Sequence, residues 1–379
     1  MSLPDEVLIF ESRLDGLAVH VASRMALQLT ALIAEVDSVL RRNGNAPLTR
    51  NELQAVSALL SSRAGIADAL AVQLTALQVT AAELGPKALA RGLRSTGTRT
   101  TAAQVAQAIA QARQAALGVT LGEASPAFYA RKLFFDLART VTANLAQSVA
   151  LGETGNAFLN RTRALADKVR SEAETIARST ATATAHAVKV QTVDMLAPGK
   201  VVAYEFVAVL DNRTSRMCQG LSGTVWRANR KADLERVRPP RHPNCRSSLV
   251  PLTQEEFDAR KAKADSERGL DIDALNKAVD EGRTLDSSRT SADVSQALRA
   301  IGRGSAPPDF RLIPEFRLSG YDDWLSGQSG EIQREILGPT RFDAWKRGVP
   351  LSRMSTFSRP LRLDELRRLY PNEVGTLAA

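Results

Sequence analysis

Apolar residues recur at spacings of three and four along the first half of the chain. Leu14, Leu17, Val21, Met25, Leu29, Leu32, Val36 and Leu40 form one such stripe, which predicts a single amphipathic helix over residues 10–42. Asn43-Gly44-Asn45-Ala46-Pro47 breaks it. Thr49 followed by Glu52 makes a capping box for a second helix, whose stripe is Leu53, Val56, Leu60, Leu70, Leu74 and Leu77 and which Gly85-Pro86 should end. Thr101 with Gln104 opens a third helix. Ser125-Pro126 opens a fourth, with serine as cap and proline in the first turn, and Gly152 closes it. A fifth helix runs from about Gly155 to about Leu196, where Pro198-Gly199 stops it. Residues 1–195 are therefore expected to form a helical domain whose stripes are core.

The period changes at Lys200. Val201-Val202-Ala203-Tyr204-Glu205-Phe206-Val207 is β-branched and aromatic and reads as a strand, and Ser247 to Leu252 reads as a second. Gly220, Gly223 and Pro239-Pro240 punctuate the stretch between them. Residues 196–253 are expected to form a small, loop-rich α/β domain. Residues 254–308 read as a charged linker with one solvated helix near its start. Residues 309–379 read as a short C-terminal helical unit, in which Trp324, Leu325, Ile332, Ile336, Leu337 and Trp345 pack inward. The fold class expected is mainly α, with one small α/β insertion.

Composition narrows the picture. Two cysteines in 379 residues exclude a scaffold built on disulfides. Acidic residues stand near the N-terminus where a signal peptide needs basic ones, and no uninterrupted apolar run of about 18 residues occurs. We therefore expect no membrane segment and synthesis in a cytoplasm. The formal net charge of +9 is uneven. Residues 1–195 carry 20 Lys/Arg against 16 Asp/Glu, whereas residues 211–246 carry 9 against 3. Such a basic stretch suits phosphates or an acidic protein surface, although a solvated arginine-rich loop has the same composition.

That basic stretch also holds both cysteines. Cys218, His242 and Cys245 are soft or borderline ligands, and His242-x-x-Cys245 can close one side of a tetrahedral zinc site. Asp211 is the nearest fourth ligand. A structural zinc would order a segment with little apolar content. Two buried thiols beside a satisfied histidine would read the same way, and a Cys218–Cys245 disulfide in an extracellular particle is a lesser option. Cys218 has no oxyanion-hole signature around it. No P-loop, dinucleotide fingerprint or HExxH motif occurs. We therefore expect no enzymatic activity.

The segment resembles a known family. Asp211, Arg213, Thr214, Cys218, Gly223, Trp226, Pro239, Pro240, His242, Pro243, Cys245 and Arg246 occur in the order found in the phage Mu F-like head morphogenesis proteins. Ala177, Arg178 and Ser179 are similar to that family's upstream Ala-Arg-Thr segment, with serine in place of threonine. Residues 321–348 are similar to its C-terminal part. The resemblance implies a structural minor head protein of a tailed phage, made in the host bacterial cytoplasm and carried in the head interior or at the portal vertex. Portal protein, procapsid components and non-specific contact with phage DNA are the implied partners. Arg213, Arg216, Arg227, Arg230, Arg238, Arg241 and Arg246 become the contact residues. The alternative is a zinc-dependent nuclease or toxin-like transferase joined to such a module.

Overall fold

The computed structural model describes residues 2–41, 45–209, 215, 218, 221–266, 316–317, 325–326 and 329–348. Helices α1 (Leu3–Arg41), α2 (Arg50–Ser62), α3 (Gly65–Ser95), α4 (Ala102–Leu117), α5 (Pro126–Ala150) and α6 (Gly155–Leu196) come first. They are followed by β1 (Val201–Val207), β2 (Thr224–Arg227), α7 (Lys231–Val237), β3 (Ser248–Thr253) and α8 (Gln254–Ser266). A two-residue strand β4 (Phe316–Arg317) and helices α9 (Gly330–Leu337) and α10 (Pro339–Lys346) complete the described elements. The protein is mainly helical with one small antiparallel sheet, ordered β3-β1-β2-β4.

The predicted helix stripes are core. Leu14, Met25, Leu29, Leu32, Val36 and Leu40 of α1 are buried with Leu70, Leu74 and Leu77 of α3, Phe134 and Leu137 of α5, and Phe158, Ile176 and Val188 of α6. Both capping boxes form, at Thr49/Glu52 and Thr101/Gln104, and Ser125 caps α5. Leu17, however, is exposed.

Three helix boundaries differ from expectation. Helix α1 begins at Leu3, seven residues early. Leu3, Val7 and Phe10 extend its stripe. Ser2 and Asp5 cap it reciprocally: the Asp5 amide donates to Ser2 Oγ and the Ser2 amide to Asp5 Oδ2. The second expected helix is divided into α2 and α3 at residues 63–64. Helix α3 then runs through Gly85-Pro86 to Ser95. An interior proline costs a backbone hydrogen bond, but Ala88, Leu89, Ala90 and Leu93 beyond it are all buried. The two glycines of this stretch allow close contact. The ring of Phe10 packs against Gly85, and a Cβ at Gly92 would lie 2.7 Å from Leu3 Cα.

The membrane expectation is corrected. Leu3–Arg41 and Arg50–Ser95 are both long and apolar enough, by length and composition, to cross a bilayer. A search for an uninterrupted apolar run misses them because scattered polar residues divide windows whose average is still apolar. The same two stretches supply much of the helical core.

The sheet is covered on both faces. Tyr204, Phe206, Trp226 and Leu249 point to one side, toward Cys218, Cys245, Leu221 and Val237. Ala203, Val225 and Leu252 point to the other, against Phe257 of α8. Glu205 lies on that second face, 2% exposed, and pairs with Arg260 of α8 at 2.6 Å. Val207 and Val250 join Leu3 and Val7 of α1, Leu89 and Leu93 of α3, and Leu325 and Ala344. Of the expected C-terminal core, Leu325 and Ile332 are buried, and Leu337 and Trp345 are partly buried against this cluster. Trp324, the Ile336 side chain and residues 267–315 lie outside the described residues.

Buried charges join α6 to its surroundings. Lys189, fully buried, reaches Glu11 of α1 at 2.6 Å and Ser248 Oγ of β3 at 2.8 Å. Arg178, 4% exposed, pairs with Asp15 of α1 and Glu174 of its own helix.

Replacing Lys189 by alanine should cost about 3–5 kcal/mol, since it strands a largely buried carboxylate. Lys189→Met combined with Glu11→Gln should recover most of that loss in urea denaturation. Gly92→Ala should destabilise the protein by about 1–3 kcal/mol through overpacking against α1. Gly16→Ala, with open space around its Cβ, should stabilise it by about 0.5–1 kcal/mol.

Candidate metal centre

Cys218, His242 and Cys245 converge. One ligand atom from each lies within 4.8 Å of the other two, and all three residues are buried. Cys218 Sγ is 3.1 Å from His242 Nε2 and 3.9 Å from Cys245 Sγ. Two sulfurs on a tetrahedral zinc with bonds of about 2.3 Å would be roughly 3.8 Å apart. A disulfide requires about 2.05 Å, so both thiols are free.

The loops that carry these ligands are held by specific contacts. Cys218 follows Ser215, whose hydroxyl accepts from the Cys218 amide at 3.3 Å. His242 and Cys245 flank a tight turn in which Asn244 takes a positive φ of 58°, a conformation that asparagine tolerates better than most residues. The Cys245 amide donates to the His242 carbonyl. Helix α6 fixes this turn from outside. Thr182 Oγ1 donates to the Cys245 carbonyl at 2.6 Å, and Asn244 Nδ2 donates to Thr175 Oγ1 at 2.9 Å.

The histidine is oriented for ligation. Its Nδ1 lies 2.8 Å from the Pro243 carbonyl. A carbonyl only accepts, so Nδ1 carries a proton and Nε2 faces the sulfurs. This is the usual outer-shell arrangement of a metal-binding imidazole. The thiols are split in acidity. Burial pushes Cys218 well above the ordinary thiol range, and the neighbouring Cys245 adds to that. Burial opposes ionisation of Cys245 too, but the hydrogen bond from Cys218 and the charge and hydrogen bond of His242 overcome it and hold Cys245 well below that range. The two sulfurs and Nε2 make a buried S₂N set that suits zinc.

This convergence corrects the expectation of no enzymatic activity. Three protein ligands around one point give the chain a constellation with catalytic potential, since a three-ligand zinc site has a fourth position for substrate or solvent. The sequence grouped these three residues as zinc ligands, and the fold brings Cys218, 24 residues from His242, to the same point.

The other anticipated residues are dispersed. Asp211, Arg213 and Arg216 lie outside the described residues. Arg241 is buried at 3% exposure, and its guanidinium donates to the Arg236 carbonyl. Arg227 stacks on Phe257 at 3.9 Å from the ring centroid, on the sheet face opposite the cysteines. Arg230 pairs with Asp233, and Arg238 with Glu235. Arg246 is half-buried and engaged. Among the described members, Arg230 and Arg238 keep much of their side chains exposed, at 37% and 44%. Thr175, Thr182, Ser215 and Asn244 were not anticipated. Helix α6 offered a signal, since its buried face is crowded with threonines that a purely apolar core would not need.

Residues 139–250 match the family described as Phage Mu protein F like protein. That segment takes in the end of α5, all of α6, the first three strands of the sheet up to Val250 and the whole Cys/His cluster. No curated protein and no solved structure matches the chain.

Protein purified without a metal-binding tag should carry about one equivalent of zinc by elemental analysis. Cys245→Ser should release it and expose residues 218–250 to hydrogen exchange while α1 to α5 stay protected. Ligation needs both sulfurs as thiolates and Nε2 unprotonated, so metal should leave as pH falls and not as it rises. Less than a tenth of an equivalent, with the loops still protected, would refute zinc occupancy.

Proposed function

We propose that this protein is a minor head protein of a tailed phage. It acts in head morphogenesis near the portal and in DNA packaging or ejection. The observation that carries this reading is the Mu F-like match over residues 139–250, which encloses a buried Cys₂His cluster. In this reading zinc locks the turn at His242–Cys245 against α6, and so fixes the small sheet to the helical part of the chain. Arg230 and Arg238 are the described arginines best placed to meet DNA phosphates, through contacts that carry no base preference. Synthesis takes place in the host cytoplasm and the mature protein stays in the head.

A second reading rests on the same cluster. A bound zinc would supply Lewis-acid chemistry at its fourth position. A zinc-dependent nuclease or transferase activity carried within the module is therefore the competing function.

Mass spectrometry of purified heads should find the protein at a few copies per particle, and disruption of its gene should yield aberrant or empty heads. Cys245→Ser should reproduce that defect if the metal holds the module together. Normal, infectious heads made without the protein would overturn the assembly role. Metal-dependent cleavage of DNA by the purified protein, lost in Cys245→Ser with folding intact, would favour the second reading.

A further inference from the structure

A separate cleft lies between the helical part and the sheet module. It has a volume of about 800 Å³, within the range of small-molecule sites. Its walls come from three places: the α4–α5 connection at 118–123, one face of α6, and α7 with Pro239-Pro240. Val119, Ala183, Ala187, Val190, Pro239 and Pro240 make an apolar wall. Arg236 and Arg238 enter from α7 and its end, and His186 enters from α6. His186 Nδ1 is shut off from solvent and has no hydrogen-bond partner among the described residues.

The electrostatics at His186 are positive. Burial holds its pKa well below the ordinary histidine value, and the charges of Lys189 and Arg238 depress it further. Opposing carboxylates are Glu123 and Glu235 on the cleft lining, Asp233 paired with Arg230 and Arg236, and Glu11, which pairs with Lys189. Glu235 sits 3.0 Å from Arg238, with both side chains well exposed, so an anion can displace it at little cost. An orphaned buried imidazole nitrogen is itself costly, and an anion bound nearby raises the proton affinity of the ring.

We propose that this cleft binds a phosphomonoester carried on an apolar ring, of the size of a nucleoside monophosphate. The guanidinium of Arg238 is the principal fork for the phosphate, His186 stands in the cleft wall beside it, and the proline and alanine wall takes the ring. The volume exceeds what inorganic phosphate needs, and the apolar wall gives a bare ion nothing to bury. A free nucleotide and the 5′ end of a DNA strand share this chemistry. The site is distinct from the Cys/His cluster. The two are joined structurally, because buried Arg241 beside His242 holds the carbonyl of Arg236.

Isothermal titration calorimetry of the full chain with adenosine 5′-monophosphate, with adenosine as the uncharged control, tests the proposal. The nucleotide should bind at least tenfold more tightly than adenosine. Arg238→Gln should weaken it tenfold or more, and Glu235→Gln should strengthen it by freeing the arginine. Ala187→Leu fills the cleft without changing charge and should also abolish binding. The His186 imidazole resonance should titrate at higher pH with the nucleotide bound. A 5′-phosphorylated hexanucleotide that displaces the monophosphate would assign the site to strand ends, and one that does not would assign it to free nucleotides. Equal binding of adenosine and its monophosphate, no binding of either, an unchanged His186 titration, or an Arg238→Gln variant that binds as the parent does would each overturn the proposal.

Discussion

A lysine ammonium with no exposure to water is tolerated only if its partners replace the water it gives up. Lys189 has two, one on α1 and one on β3, and the rest of the molecule is arranged around that node. Helix α6 must run far enough to reach the sheet, α1 must lie along it, and β3 must start beside it. Burial pulls the Lys189 pKa down, and Glu11 pulls it back up. The ammonium is worth burying only while Glu11 stays in place. An apolar side chain at this position would pack without favouring one register of α1 over another. The ion pair favours one, and the Arg178–Asp15 pair three turns earlier favours the same one.

The metal-ligating turn depends on that register. Thr175 and Thr182 are seven residues apart on α6, two turns along one face. They reach Asn244 and the Cys245 carbonyl. A shift of α6 relative to the sheet would break these bonds and misplace the Lys189–Ser248 contact in the same motion. The matched segment likewise begins inside the helical part, at residue 139, and takes in all of α6. The small sheet and the cluster are not a freestanding unit appended to a bundle. One wall of the site is a helix that belongs equally to the bundle core.

Much of this was legible in the sequence where local chemistry decides structure. Spacing placed the stripes of α1, α2 and α3, and Thr49, Thr101 and Ser125 marked the starts of α2, α4 and α5 because caps are local interactions. The failures have nonlocal causes. Gly85-Pro86 reads as a stop, yet α3 continues, because a glycine against Phe10 gives closer packing than any other residue would allow. The arginine-rich stretch reads as one basic patch, but proximity in sequence is not adjacency in space: Arg227 stacks on Phe257 and Arg241 is buried in a different part of the module. Cys218, His242 and Cys245 were recognisable as ligand types. Their convergence, and the threonines that hold it, required the fold.

The cluster also shows why it is poised for a metal ion. Without one, burial disfavours two thiolates: it pushes the Cys218 thiol up, while Cys218 and His242 favour ionisation of Cys245. The sulfurs stand 3.9 Å apart, too far for a disulfide and close to the spacing of two sulfurs on one tetrahedral zinc. A divalent soft cation suits that spacing. It supplies the charge that lets the second sulfur ionise, and its tetrahedral geometry calls for sulfurs at nearly this distance. Hard cations such as magnesium prefer oxygen ligands and gain nothing from this set. The Pro243 carbonyl fixes the imidazole so that only Nε2 is presented, and the order imposed by α6 means little rearrangement is needed on binding. The binding energy of the ion then goes into holding two loops, one helix and the sheet in a single geometry.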